Sequence, residues 1–319
     1  MVADRMTEAA EPHRGELLAY CYRMTGSLHD AQDLVQETML RAWRSAETYD
    51  PGRASVRTWL YRIATNLCVD ALADAKRRAL PTDLSEPSTV TDVNQLIRNP
   101  EIPWLEPFPD SALDHRDPAA LAAERESVRL AFVAALQHLP PLQRAVLILR
   151  DVLAFRAAET AALLDTSSAA VNSALQRARA QLATAMPDEG VLEEPTEQGL
   201  RELLHRYVTA FESMDVDALK KALRDDALLQ MPPVLAWFIG REAIAEFFGT
   251  AFARGGEYRF VPIDPANGCP AYALYRRRGT PDFEALNLHL FTVGADGVAR
   301  IDVFHDTELF PAFGLPMTL

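Results

Sequence analysis

Arg62, Asn66 and Asp70 recur at four-residue steps, and the run Lys76-Arg77-Arg78 follows them. On a helix that spacing puts the first three on one face. Cations hold phosphates, and a carboxamide such as that of Asn66 can hydrogen-bond the edge of an unpaired base. Opening a duplex needs both, plus a flat or aromatic surface that replaces lost stacking. Trp59 is close by, although a Trp at a helix start more often anchors a core. A second set, Asn172, Ser173, Gln176, Arg177 and Arg179, suits groove reading, because Asn and Gln pair with adenine edges and Arg with guanine or phosphate. A third set, Asp30, Asp33, Gln36 and Glu37, crowds one side of a helix start, where a solvated acidic face that suits the helix dipole is the bland alternative. In the C-terminal third, Tyr207, Met231, Trp237, Phe247, Tyr272, His289, Phe304 and His305 could face a pocket. Most such aromatic residues are simply core; His289 and His305 are the better candidates, with Asp302 and Asp306 as carboxylates near His305.

The elements that must carry these residues follow from periodicity. A helix from about His29 buries Leu34, Val35, Thr38, Met39, Ala42 and Trp43. Asp50-Pro51-Gly52 breaks the chain, and Ser55 or Thr58 caps a second helix with the stripe Leu60, Ile63, Ala64, Leu67, Ala71 and Leu72. The three cations are expected to close that helix, opposing its negative end. ALQHLPPLQRAVLILRDV is a helix led by Pro140-Pro141, AAETAALL a short helix, Asp165–Ser168 a turn, and AAVNSALQRARAQL a last helix burying Val171, Leu175, Ala178 and Leu182. Short helix, polar turn and polar-faced helix is groove-recognition geometry. After residue 197 strand-like runs appear, at 270–278, 283–293 and 298–305. Residues 81–118 are rich in Pro, Ser and Asp and suggest a long linker, and 187–196 an acidic hinge. Three domains are therefore expected, at roughly 10–80, 119–186 and 197–319.

The chain has 319 residues and a formal net charge of −13. Its distribution matters more than its sum. Residues 40–80 hold 8 Lys/Arg against 4 acids and residues 119–186 hold 7 against 5, whereas 81–118 hold 2 against 8. Phosphate attraction follows local charge, since screening removes the field beyond about 8 Å at physiological salt. No apolar run reaches membrane-spanning length, and the first residues lack the apolar core of a signal peptide. The three cysteines are far apart without metal-ligand spacing, so free thiols in a reducing cytoplasm are expected, with no metal or cofactor.

The stretch DAQDLVQETMLRAWRSAETYDPGRASVRTWLYRIATNLCVDALADAKRR resembles region two of bacterial sigma factors of the extracytoplasmic-function (ECF) group. Residues 126–186 resemble region four. Residues from Glu197, with MPP, WFIG and AIAEFF, resemble SnoaL-like domains of the nuclear-transport-factor-two superfamily, in which helices and a curved sheet enclose a cone-shaped pocket. The resemblance as a whole is to sigma-G-like factors with a SnoaL-like extension. It implies two all-α modules, the second a helix-turn-helix, and a C-terminal α+β domain. It also implies that Asp30, Asp33, Gln36 and Glu37 dock on core RNA polymerase, and that Asn66 captures a flipped base of the minus-ten element. Arg62 and Lys76, Arg77 and Arg78 would contact backbone. Trp104-Leu105-Glu106-Pro107 resembles a WLPEP-like linker signature, with Trp104 clamping the free protein closed. Asp165 stands where the family turn often has Gly, and Asn172 and Ala174 where cations are common, so weak intrinsic minus-thirty-five affinity is expected, offset by tethering. The implied function is promoter-specific initiation, without catalysis, adjusted by the C-terminal domain and a possible small ligand. The rivals are a polymerase-independent helix-turn-helix regulator and an isomerase or cyclase with vestigial sigma modules. An anti-sigma partner stays open.

Overall fold

The computed structural model describes residues 2–113, 125–186, 193 and 195–319. Parts of the expected linker (114–118), of the second helical module (119–124) and of the acidic hinge (187–192 and 194) lie outside the described residues. The chain forms two units. Residues 1–78 join 105–187 in one, and residues 79–104 join 188–319 in the other.

The helical unit begins with α1 (Val2–Ala10), α2 (Arg14–Thr25), α3 (Leu28–Arg44) and α4 (Val56–Leu72). Gly26 ends α2 at φ +71°, returning its N–H to the Tyr22 carbonyl at 2.7 Å. A Cβ there would also meet Leu105 Cδ2 at 2.6 Å, so both backbone sign and space require glycine. Ser27 and Ser55 start the next helices, their hydroxyls accepting from the Asp30 and Thr58 N–H groups at 3.1 Å. Leu17, Tyr20, Cys21, Met24, Leu28, Ala31, Val35, Leu60, Tyr61, Ala64 and Cys68 form the buried seam. Two expectations fail at its rim. Trp43 is 50% exposed and Ala71 is exposed. Lys76, Arg77 and Arg78 also do not close α4, which stops at Leu72. No large apolar residue lies between Leu72 and Leu80 to bury another turn, so the three cations continue as irregular chain.

The same unit contains α5 (Leu130–Leu136), α6 (Pro141–Leu147), a π-helical turn (Ile148–Val152), α7 (Ala157–Leu163) and α8 (Ser168–Ala185). Ser167 caps α8 by accepting from the Ala170 N–H at 3.1 Å. Asp165, in the turn before it, holds φ +48°, a conformation that costs a non-glycine residue energy and that Asp tolerates better than most. Two buried arginines stitch the early helices to the later ones. Arg144 donates to the Met24 carbonyl, to Gln137 Oε1 at 2.6 Å and to the Gln137 and Leu139 carbonyls at 3.1 Å. Burial lowers its pKa to about 10. Arg23 donates to Ser127 Oγ at 2.7 Å.

The second unit holds α9 (Glu197–Glu212), α10 (Val216–Ala222), β1 (Leu223–Gln230), β2 (Trp237–Ile239), α11 (Arg241–Phe252), β3 (Glu257–Ala266), β4 (Cys269–Arg277), β5 (Glu284–Gly294), β6 (Gly297–Phe304) and α12 (Leu309–Ala312). Its sheet runs β2-β1-β6-β5-β4-β3, antiparallel except for β1 beside β6. Helices α9 and α11 cover one face with Tyr207, Phe211, Phe247, Phe248 and Phe252, which join Phe260 and Phe291 in one aromatic core. On the other face, Phe310 of α12 packs edge-on against Tyr275.

Residues 79–104 are bound to this second unit rather than free. Trp237 Nε1 donates to the Ser85 carbonyl at 2.8 Å and the Ser88 N–H to the Trp237 carbonyl at 2.7 Å. Thr250 Oγ1 donates to the Thr91 carbonyl at 2.8 Å, and the Asn99 N–H to the Pro233 carbonyl at 2.9 Å. Arg98 pairs with Val234 like one residue of an added strand. Pro and Ser richness there reflects irregular chain held by hydrogen bonds to this unit.

Candidate functional site

On α4, Arg62, Asn66 and Asp70 are exposed together, as the four-residue step requires. Leu60, Ala64, Leu67 and Cys68 hold the opposite side of the helix in the core. Arg62 reaches Asp165 Oδ2 at 2.7 Å, so the strained turn before α8 supplies its counter-ion. Trp59 is half-buried against Tyr49, with ring centroids 5.1 Å apart, and serves the module's packing more than an open stacking surface. Lys76 is exposed. Arg77 approaches His138, and Arg78 pairs with Asp30 at 2.7 Å.

Asp30, Asp33 and Gln36 are exposed along α3, and Glu37 is half-buried. Glu37 pairs with Arg41 one turn on, at 2.7 Å. A residue missed from sequence organises this helix. The Glu106 carboxylate accepts from the Leu28 and His29 N–H groups at 2.8 and 3.1 Å and from Ser27 Oγ at 2.9 Å. It thereby caps the positive end of α3 from a segment 78 residues away. The signal was present in the WLEP motif, but only as a charge in an apparent tether.

On α8, Asn172, Ser173, Gln176, Arg177 and Arg179 are all exposed, while Val171, Ala174, Leu175 and Ala178 are buried. Arg177 donates to Ser173 Oγ at 2.8 Å. Arg179 makes two bonds, of 2.7 and 2.8 Å, to Asp151, which raise its pKa. Of the five, Asn172 and Gln176 carry exposed carboxamides, the group that pairs with adenine edges.

Trp104 is buried, its Nε1 donating to the Asn99 carbonyl at 2.8 Å, and its backbone bridges Ala79. It therefore fastens the end of residues 79–104 within the second unit.

That unit holds a cavity of about 290 Å³. His289 and His305 line it, together with Met231 and Phe247. Tyr207 and Trp237 do not, nor do Tyr272 and Phe304. Tyr207 is sealed between α9, which carries it, and Phe291 of the sheet, its hydroxyl without a partner. Trp237 turns its indole to Ser85 instead. Strand alternation removes Phe304 and Asp302, because His289 stands opposite Val303 while Phe304 opposes Leu288 and Asp302 opposes Leu290. Asp302 is bound to Arg300 at 3.0 Å and to Gln230, and Asp306 accepts from the Glu308 N–H. Neither carboxylate is poised as a base. An irregularity between β4 and β5 adds one residue near Leu286, which brings both Leu286 and Asn287 to the cavity. Burial, followed by the His305 charge, holds the His289 pKa at about 3, so its imidazole is neutral. His305 is also held below the ordinary imidazole value, first by burial and then by the charges of Arg98 and Arg276.

Family profiles match in three places. Sigma-70 region 2 matches residues 9–78, sigma-70 region 4 matches residues 129–182, and a SnoaL-like domain matches residues 204–305. The chain is 49% identical over 313 residues to the ECF RNA polymerase sigma factor SigG of Mycobacterium tuberculosis, covering 97% of this chain and 83% of that one. It is 32% identical to the SigJ factor of the same organism over 68% of this chain and 61% of that one. The crystal structure of Mycobacterium tuberculosis SigJ superposes with a TM-score of 0.58 at 23% identity, covering 96% of this chain and 98% of that one, a likeness of fold.

Proposed function

Because the chain belongs to the ECF RNA polymerase sigma factors, with a SnoaL-like domain at its C-terminal end, we propose that it binds core polymerase and directs it to promoters that it helps to open. The observation that carries this reading is the exposed Arg62–Asn66 ridge of α4 on a buried apolar seam. Arg62 and Lys76, Arg77 and Arg78 hold phosphates of the separating strands, and the Asn66 carboxamide receives an extruded base. Helix α8 reads a second element through Asn172, Ser173, Gln176, Arg177 and Arg179. Asp30, Asp33, Gln36 and Glu37 make the acidic docking face for polymerase. Arg62–Asp165 and Arg78–Asp30 occupy these groups in the free chain and must exchange partners on binding.

The C-terminal unit adjusts this activity rather than turning over a substrate. Among the described residues its cavity lining contains no Asp or Glu, so no carboxylate of the kind that ring chemistry on related folds uses faces it. Trp104 belongs to the same adjustment, holding residues 79–104 on that unit.

Transcription with purified core polymerase tests the reading. The full chain is expected to give starts at defined sites. Asn66→Ala should leave polymerase binding intact while open complexes fall about tenfold, matching the 1–3 kcal/mol carried by one good base contact. Starts that need no added chain would leave only a polymerase-independent helix-turn-helix regulator, whereas an Asn66→Ala chain that opens promoters normally would remove Asn66 from the base-capturing role.

A further inference from the structure

We propose that the cavity of the C-terminal unit is a receptor site for a small monocarboxylate with an apolar, ring-sized body, its carboxylate held by Arg98 and Arg276 and a hydroxyl or oxo group meeting His289 and Asn287. This rests on the reading that the C-terminal unit adjusts transcription.

The walls set the body of the ligand. Phe211, Phe247, Phe248, Phe252 and Tyr258 present ring surface, and Leu96, Val234 and Leu274 complete an apolar lining. A cavity of about 290 Å³ exceeds the ~150 Å³ that admits benzene and falls just under the usual range for small-molecule sites. A single ring with one or two substituents fills it; a nucleotide or an acyl chain of membrane length does not.

The charge of the ligand follows from what the lining lacks. Arg98, Arg254 and Arg276 border the cavity, and among the described residues no acid does. Arg254 has a neighbouring acid, since its charge contributes to lowering the Asp92 pKa. Arg98 and Arg276 have no ion pair among the described residues, yet both act on the His305 ring. Two guanidiniums that border one cavity with a neutral imidazole leave positive potential that one carboxylate would satisfy with charge-assisted bonds.

The polar substituent follows from orphaned groups. His289 is 1% exposed and neither ring nitrogen has a partner, and the buried Asn287 Oδ1 has none either. Native proteins leave few such groups unsatisfied, so a cluster of them on one cavity wall marks where a ligand supplies the missing bonds. A neutral imidazole both donates and accepts, which suits a hydroxyl or an oxo group.

The site also carries its own output. Val93, Leu96 and Arg98 come from residues 79–104, the segment that follows the Lys76–Arg78 run and leads into Leu105 and Glu106. A carboxylate shared by Arg98 and Arg276 ties that segment to β4.

The test titrates the full chain calorimetrically with 2-hydroxybenzoate, 4-hydroxybenzoate and phenylacetate, each against its primary amide. At least one acid should bind, at least tenfold more tightly than its amide, and Arg98→Gln and Arg276→Gln should each weaken it about tenfold. Amide hydrogen exchange across residues 91–99 should slow on binding, and transcription with core polymerase should change. If acids and amides bind alike, the anion assignment fails while the cavity stands as a neutral-ligand site. Selective binding without any effect on exchange or transcription removes the coupling and leaves the receptor. No binding of any acid up to about 10 mM overturns the proposal.

Discussion

His289 shows how one side chain can be unfavourable for folding and still informative. A buried polar group without partners costs about 1–3 kcal/mol, and this imidazole has two unpartnered nitrogens. Its folded pKa of about 3 lies below the ordinary imidazole value of 6.5, so the folded chain refuses a proton that the unfolded chain accepts. Stability is therefore fully present above about pH 6.5 and falls as pH drops towards the folded value, by up to ~1.4 kcal/mol per pH unit. The depressed His305 adds a second proton to the same window. Scanning calorimetry of the full chain should show the C-terminal unit melting lower at pH 5 than at pH 7.5. His289→Leu should raise its melting temperature at pH 7.5 and flatten the pH dependence by about half, because the orphaned group and one titration vanish together. An unchanged pH slope in that variant would mean that the imidazole reaches solvent.

Among the elements, α3 depends most on something far from it in sequence. Glu106 supplies a carboxylate to the Leu28 and His29 N–H groups while Ser27 caps the Asp30 N–H. Glu106→Ala should lower the urea stability of the helical unit by about 2 kcal/mol and Glu106→Gln by about half of that, since the amide keeps one acceptor and loses the charge. Equal stability of both variants to the parent would show that Ser27 caps the helix alone. The helices α3, α4 and α8 were legible in sequence, because each buries one stripe at 3.6-residue spacing and starts behind a serine. The strands 269–277, 284–294 and 297–304 were legible for the matching reason of period two. The exposed faces of α4 and α8 followed, since exposure is the complement of the stripe. Other features could not be read locally. The end of α4 is set by an absence of apolar residues beyond Leu72, and the strand β1, reading Leu-Arg-Asp-Asp-Ala-Leu-Leu-Gln, has too little alternation to announce itself. Trp237 left the pocket because Ser85 offered its indole a carbonyl, a partner 152 residues away. One of the three arginines that border the cavity, Arg98, lies in a stretch whose composition speaks only of linker.

At the scale of the molecule, the chain passes from the helical unit to the C-terminal one at residue 79 and returns at residue 105. Both passages are fixed locally, by Ala79 pairing with Trp104 and by Glu106 on α3. Residues 79–104 therefore form part of the C-terminal unit although they lie between the two helical modules in sequence. This has a consequence for truncation. Removing residues 197–319 takes away Gln230, Pro233, Leu235, Trp237 and Thr250, the partners of Thr82, Asn99, Ser85, Ser88 and Thr91. The remaining segment loses these hydrogen bonds and bares Val93 and Leu96, so it becomes an open loop rather than a bridge of defined course. Trypsin reports the change through Arg98, whose side chain is exposed but whose backbone is paired with Val234 in the full chain. Cleavage after Arg98 should be at least about tenfold faster in a chain ending at Thr196, because it tracks the population of the opened segment. Trp237→Ala, which removes only the indole bond to Ser85, should give an intermediate rate and shift transcription in the same direction as the truncation. Cleavage that is equally slow in all three chains would show that residues 79–104 hold their course without residues 197–319, and the proposed coupling of the cavity to transcription would have to run by another route.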